Sequence, residues 1–118
     1  MYEIRKQFHF SASHQLTGLP ADHQCARLHG HNYTVELVLQ ADTVDAVGFV
    51  RDYGELNAFK VMIDEGLDHR HLNDVYPFNP TAENIAREMY QTARLCWPEV
   101  VAVRVSETGS TWAEYREQ

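Results

Sequence analysis

Residues 25–39 read CARLHGHNYTVELVL: a thiol, two histidines separated by one glycine, and then an apolar run. His29, His31, Tyr33, Val35, Leu37 and Leu39 have odd numbers and Ala41 extends the series, while Asn32, Thr34, Glu36 and Gln40 fall between them. Successive side chains of a strand point to opposite faces, so this is a half-buried β-strand with both histidines on its apolar face. The imidazoles are thereby aligned, and Gly30 adds no bulk between them.

Upstream, Tyr2, Ile4, Phe8 and Phe10 share one parity, with Lys6 as the exception, and Glu3, Arg5, Gln7 and His9 share the other, which predicts a first strand. The intervening SASHQLTGLPADHQ, residues 11–24, contains Gly18 and Pro20 and reads as a long irregular connection. Downstream, Asp52 and Glu55 have capping-box spacing, and Leu56, Phe59 and Ile63 follow at helical intervals up to Gly66, predicting a helix over Asp52–Glu65. A second helix begins near NPTAEN, residues 79–84, with Pro80 in the first turn and Thr81 or Asn79 as cap. It carries Ala82, Ile85, Ala86, Met89, Ala93 and Cys96 on one face and stops at Pro98. Val101, Val103 and Val105 alternate with Ala102, Arg104 and Ser106 in a third strand whose apolar face continues to Glu107, and TGS then turns into TWAEYR as its hairpin partner. The order ββααββ describes an α+β fold: one domain over residues 1–118, with two helices on one face of a largely antiparallel, four-stranded sheet.

The 118 residues are 44% apolar and 23% charged, a globular composition. No apolar run reaches membrane-spanning length and the N-terminus alternates instead of forming a signal-peptide core, so a cytoplasmic protein with no membrane partner is expected. A net charge of −7 without a Lys/Arg cluster argues against nucleic acid as a partner. Cys25 and Cys96 form no CxxC pair and are expected as thiols.

Zinc takes imidazole nitrogens readily, three histidines with an open position being the catalytic arrangement and four protein ligands the structural one. His29 and His31 supply two. His14, just past the first strand, is the best third, because a neighbouring antiparallel strand end approaches the start of the second. His9 lies on the polar parity, and His23 is undecided. Cys25 is open between a fourth ligand that closes the site and a reactive thiol. Asp68 and His69, in LDHRHLND, are candidates for an acid–base pair only if the fold brings them to Cys25, whereas Asp74 reads as a capping acid. Glu107 ends an apolar strand face, where a carboxylate is exposed at a rim, paired, or bound to a ligand with N–H donors.

FSASHQL, CARLHGHNY, LDHRHLND, NPTAEN and SET, in this order, resemble the 6-pyruvoyltetrahydropterin synthase superfamily over nearly the whole chain. The closest resemblance is to its bacterial 6-carboxy-5,6,7,8-tetrahydropterin synthase branch, of the queuosine (7-deazaguanine) pathway. It implies the tunnelling fold (T-fold), with trimers that stack into a homohexamer and active sites at subunit interfaces. It further implies Zn2+ on His14, His29 and His31, a catalytic thiol at Cys25, an acid–base pair at Asp68 and His69, and substrate binding by Glu107 with Thr108 beside it. The implied reaction is a zinc-dependent lyase step on 7,8-dihydroneopterin triphosphate. The three residues between Cys25 and His29 resemble the carboxy-forming branch, the biopterin-forming enzymes carrying a longer insert there. Alternatives are 6-pyruvoyltetrahydropterin synthase activity on the same substrate, a three-histidine zinc hydrolase, and a non-enzymatic module with a closed CysHis3 site.

Overall fold

A computed structural model of the chain describes residues 1–117. Its frame is a long antiparallel pair, β1 (Tyr2–His14) and β2 (His29–Ala41), in unbroken register from Tyr2 opposite Ala41 to His14 opposite His29. Because paired numbers sum to an odd value, even positions of β1 share a face with odd positions of β2. Phe8, Phe10, Ala12 and His14 therefore line up with His29, His31, Tyr33 and Val35. The first strand is longer than the alternation over residues 2–10 indicated. Its parity continues through Ala12 to His14, so SASH belongs to the strand and the irregular connection starts at Gln15.

Helix α1 (Asn57–Gly66) follows a 3-10 turn, Tyr53–Leu56, whose cap is Asp52 accepting from the Gly54 amide. The stretch expected to be one helix from Asp52 thus begins with a tighter turn. A two-residue strand β3 (Arg70–His71) and a single helical turn α2 (Leu72–Val75) come next, then α3 (Ala82–Cys96), β4 (Val100–Ser106) and β5 (Ala113–Tyr115). The sheet has five strands instead of four, in the order β3-β1-β2-β4-β5, and β3 runs parallel to β1. A strand of two residues carries no periodicity, so nothing in its sequence announces it.

Thr81 caps α3 by accepting from the Asn84 amide, which leaves Pro80 just outside the helix instead of in its first turn. Ala82, Ile85, Ala86, Met89, Tyr90 and Ala93 are buried, but Cys96 is exposed. The buried stripe advances from Ala93 to Trp97, four residues on, and Cys96 lies beside it. Phe59 and Ile63 of α1 join the α3 stripe and the odd side of β2 in one apolar core. Each large side chain fully buried there contributes about 1.5–3 kcal/mol. Lys6, the exception to β1 parity, sits on the core side, but its ammonium reaches the Tyr53 carbonyl and Asn57 Oδ1 at the start of α1.

The opposite sheet face carries a polar network. Glu36, only 6% exposed, accepts from Gln7 at 3.0 Å and from Arg104 at 2.9 Å. No helix among the described residues is long and apolar enough to cross a membrane.

Candidate active site

The β1–β2 register ends with His14 opposite His29 and Ala12 opposite His31, which brings three imidazoles to one end of the core face. Their rings stand edge to face, with centroids 4.5–5.0 Å apart. Glu107, the first residue after β4, continues the parity of Val103 and Val105 and so reaches the same point. Its Oε2 lies 3.2 Å from His14 Nε2 and 3.1 Å from His31 Nε2. One ligand atom from each of His14, His29, His31 and Glu107 lies within 4.8 Å of every other.

Two observations fit these residues to a metal ion. His14 Nδ1 is 2.8 Å from the Pro80 carbonyl and His29 Nδ1 is 2.7 Å from the Arg27 carbonyl, so each donates its ring proton there. The two Nε2 atoms then face each other at 2.9 Å with lone pairs and no proton between them, an arrangement that a cation relieves. His31 Nε2 is the only buried side-chain nitrogen or oxygen without a hydrogen bond among the described residues. Three of the donor separations, 2.9, 3.1 and 3.2 Å, are near the edge of about 3.3 Å of a tetrahedron with arms of about 2.0 Å. Cys25 is outside this group, so its four donors are three histidines and a carboxylate, not the CysHis3 set.

Burial lowers the pKa of His31 against the opposing pull of Glu107. Tyr33, with its hydroxyl 3.2 Å from His14 Nδ1, is pushed above the ordinary phenol range by burial first and by Glu107 second.

Cys25 is half-buried in the 3-10 turn Gln24–Ala26, where His23 Nδ1 accepts from its amide at 3.0 Å, a capping role for the histidine that sequence left undecided. Its carbonyl accepts from the Leu16 amide. Two asparagines, Asn73 and the cap candidate Asn79, hold that loop on its other side, a role sequence reasoning missed. Asn73 pairs its amide group with the backbone of Gln15 in both directions, and Asn79 does the same with Thr17. LDHRHLND and NPTAEN contain them, but their partners lie 58 and 62 residues away, so no local signal marks them.

Asp68 and His69 form a pair, Oδ2 to Nδ1 at 3.0 Å, and Asp68 Oδ1 also accepts from the Ser11 amide. That amide first, and His69 second, hold the Asp68 carboxyl below its usual range. His69 is 82% exposed, and it is the only non-glycine residue with positive φ, at 60°, among the described residues. Such backbone strain, held by the His69 amide on the Ser11 carbonyl, collects at functional sites. His69 borders an open cleft of about 440 Å³ shared with Ser11, Ser13, Asn32 and His71. No hydrogen bond joins Cys25 to the pair among the described residues: the Cys25 carbonyl is anchored on the Leu16 amide and Asp68 on that of Ser11, and the extended chain from Ser11 to His14 alone spans about 10 Å. Thr108 lies in the turn after β4, its hydroxyl 3.1 Å from Ser110 Oγ and 3.2 Å from Thr111 Oγ1. His71 pairs with Ser13 Oγ, and His9 with Thr34.

The family model for 6-pyruvoyl tetrahydropterin synthase matches residues 3–118. The chain belongs to the 6-pyruvoyl tetrahydropterin synthase family. Within that family it is 31% identical over 128 aligned positions to the 6-carboxy-5,6,7,8-tetrahydropterin synthase of Bacillus subtilis, covering 98% of this chain and 85% of the relative. The relative in Synechocystis with the same name is 33% identical, over 98% of this chain and 93% of its own. Among solved structures, an uncharacterised Wolinella succinogenes protein has a TM-score of 0.88 at 24% identity, covering 99% of this chain and 98% of that one. The 6-pyruvoyl tetrahydropterin synthase of Caenorhabditis elegans has 0.86 at 23%, over 99% and 96%. The fold is thus the family's T-fold, with the fifth, two-residue strand at its edge.

Proposed function

We propose that the chain is a cytoplasmic, zinc-dependent lyase that converts 7,8-dihydroneopterin triphosphate, with uptake of water, to 6-carboxy-5,6,7,8-tetrahydropterin, acetaldehyde and triphosphate, in queuosine biosynthesis. The observation that carries this is the convergence of His14, His29, His31 and Glu107 in a chain whose full-length relatives are named 6-carboxytetrahydropterin synthases. A zinc ion held by the three imidazoles supplies Lewis-acid stabilisation of negative charge developing on the substrate's side chain. His14 and His29 are positioned for that by their bonds to the Pro80 and Arg27 carbonyls, which fix the tautomer that leaves Nε2 open.

Glu107 accepts N–H donors from the pterin edge. Cys25, as thiolate, removes the proton from the side-chain carbon attached to the ring. His69 relays protons, and Asp68 at 3.0 Å orients its ring. Because the pair lies away from Cys25 within one chain, the reading has the His69 of a neighbouring subunit completing each site in a trimer-based hexamer.

The short Cys25-to-His29 spacing favours this product over a pyruvoyl one. Incubation with 7,8-dihydroneopterin triphosphate followed by mass analysis tests it. Acetaldehyde with the carboxy compound is the expected outcome, and a pyruvoyl product would overturn it.

A further inference from the structure

Glu107 is held differently from two of the histidines in its cluster. His14 and His29 are tethered through their second nitrogen to backbone carbonyls, whereas the Glu107 carboxylate makes no hydrogen bond outside the cluster among the described residues. Its side chain is 27% exposed, against 0% for His14 and 20% for His31. It lies beyond the last paired residue of β4, two positions before Gly109, whose φ of +81° turns the chain. It also lines a pocket of about 190 Å³ whose wall includes Glu83, Thr111 and Trp112. The carboxylate therefore borders two environments, the imidazole cluster and a small recess, and is held firmly in neither.

We propose that Glu107 exchanges between two partners: it completes the metal's shell as a fourth protein ligand in the resting protein, and it leaves for the N–H edge of a pterin ring when one docks. Its Oε2 sits at ligand-to-ligand distance from two imidazole nitrogens, where a fourth donor makes a closed shell. The carboxylate also carries the negative charge that ring N–H donors seek, and it cannot serve both partners at once. Docking of the ring then vacates a coordination position only when substrate is present to take it. The resting site is protected from stray ligands, and substrate recognition is coupled to opening. The second partner rests on the pterin reading given above, whereas the first rests on the cluster alone.

Cobalt(II) in place of zinc makes both halves visible, because its absorption reports coordination and a chromophoric chelator in competition reports affinity. Glu107→Gln is expected to weaken metal binding at least about tenfold and to change the cobalt spectrum. A pterin without side-chain hydroxyls, able to engage only through its ring, is expected to change the wild-type spectrum in the same direction and to leave that of Glu107→Gln unaltered. Equal affinity and identical spectra in the two proteins would overturn the fourth-ligand role. Pterin binding, seen as fluorescence quenching, without a spectral change in the wild type would overturn the exchange. Absence of any pterin binding overturns the exchange together with the pterin reading, and the affinity ratio still decides the ligand role. If Glu107→Gln does not fold, Glu107→Asp reads the same ligand by spectrum, its carboxylate being one methylene shorter.

Discussion

At the scale of single residues, chemistry follows from which atom of each side chain is already committed. His14 and His29 spend Nδ1 on carbonyls and present Nε2; Asp68 gives one oxygen to the Ser11 amide and the other to His69. Cys25 has only its backbone committed, its amide to His23 and its carbonyl to Leu16, so the thiol is available. Cys25→Ala is therefore expected to retain one zinc per chain and the wild-type circular dichroism while product formation falls at least about a thousandfold; loss of zinc in this variant, by elemental analysis, contradicts the assignment. The alignment of His29 with His31 was legible in strand alternation alone. The Pro80 carbonyl and the Tyr33 hydroxyl were not, because they reach His14 only through the tertiary fold, and the nearby Arg27 carbonyl carries no side-chain identity to read.

At the scale of elements, one long strand pair does most of the positioning, and its two faces are built differently. Glu36 anchors the polar face through Gln7 and Arg104. Burial alone would raise its pKa, but those two hydrogen bonds and the Arg104 and Arg5 charges outweigh this and lower it. The contribution of a carboxyl lowered on folding is full above its unfolded pKa of about 4.3 and is lost as pH falls through the lower folded value. Glu36→Gln is accordingly expected to cost about 1–3 kcal/mol at neutral pH, and the deficit should shrink on acidification below about pH 4. Urea titrations across that range measure it; a deficit independent of pH argues that the charge is not what Glu36 contributes. The helices show where periodicity succeeds and where it drifts. Ala82 to Ala93 were correctly placed, yet Cys96 falls outside the buried stripe because 3.6 residues per turn carries it to Trp97.

At the scale of the whole molecule, the metal cluster closes one end of the core face beside Tyr33, while the Asp68–His69 pair is held on Ser11. Core residues such as Leu37, Phe59, Ile85 and Met89 are 0–1% exposed and belong to a cluster built from apolar side chains of the sheet and both helices. Chelation of the metal should therefore abolish turnover while leaving far-ultraviolet circular dichroism intact; unfolding on chelation points to a structural metal instead. If the site is shared between subunits, Cys25→Ala and His69→Ala, each inactive alone, should regain a measurable fraction of activity when denatured and refolded together. No recovery in mixtures shown by mass to contain both chains speaks against sharing. Local order in the chain specified four of the five strands, the two principal helices and the shared face of His29 and His31, because side-chain direction along a strand or helix depends only on position within it. Whether His14 and Glu107 meet those histidines, and whether Cys25 meets His69, depended on contacts between residues far apart in the chain. The antiparallel register brought the first set together, and the distance along β1 kept the second apart.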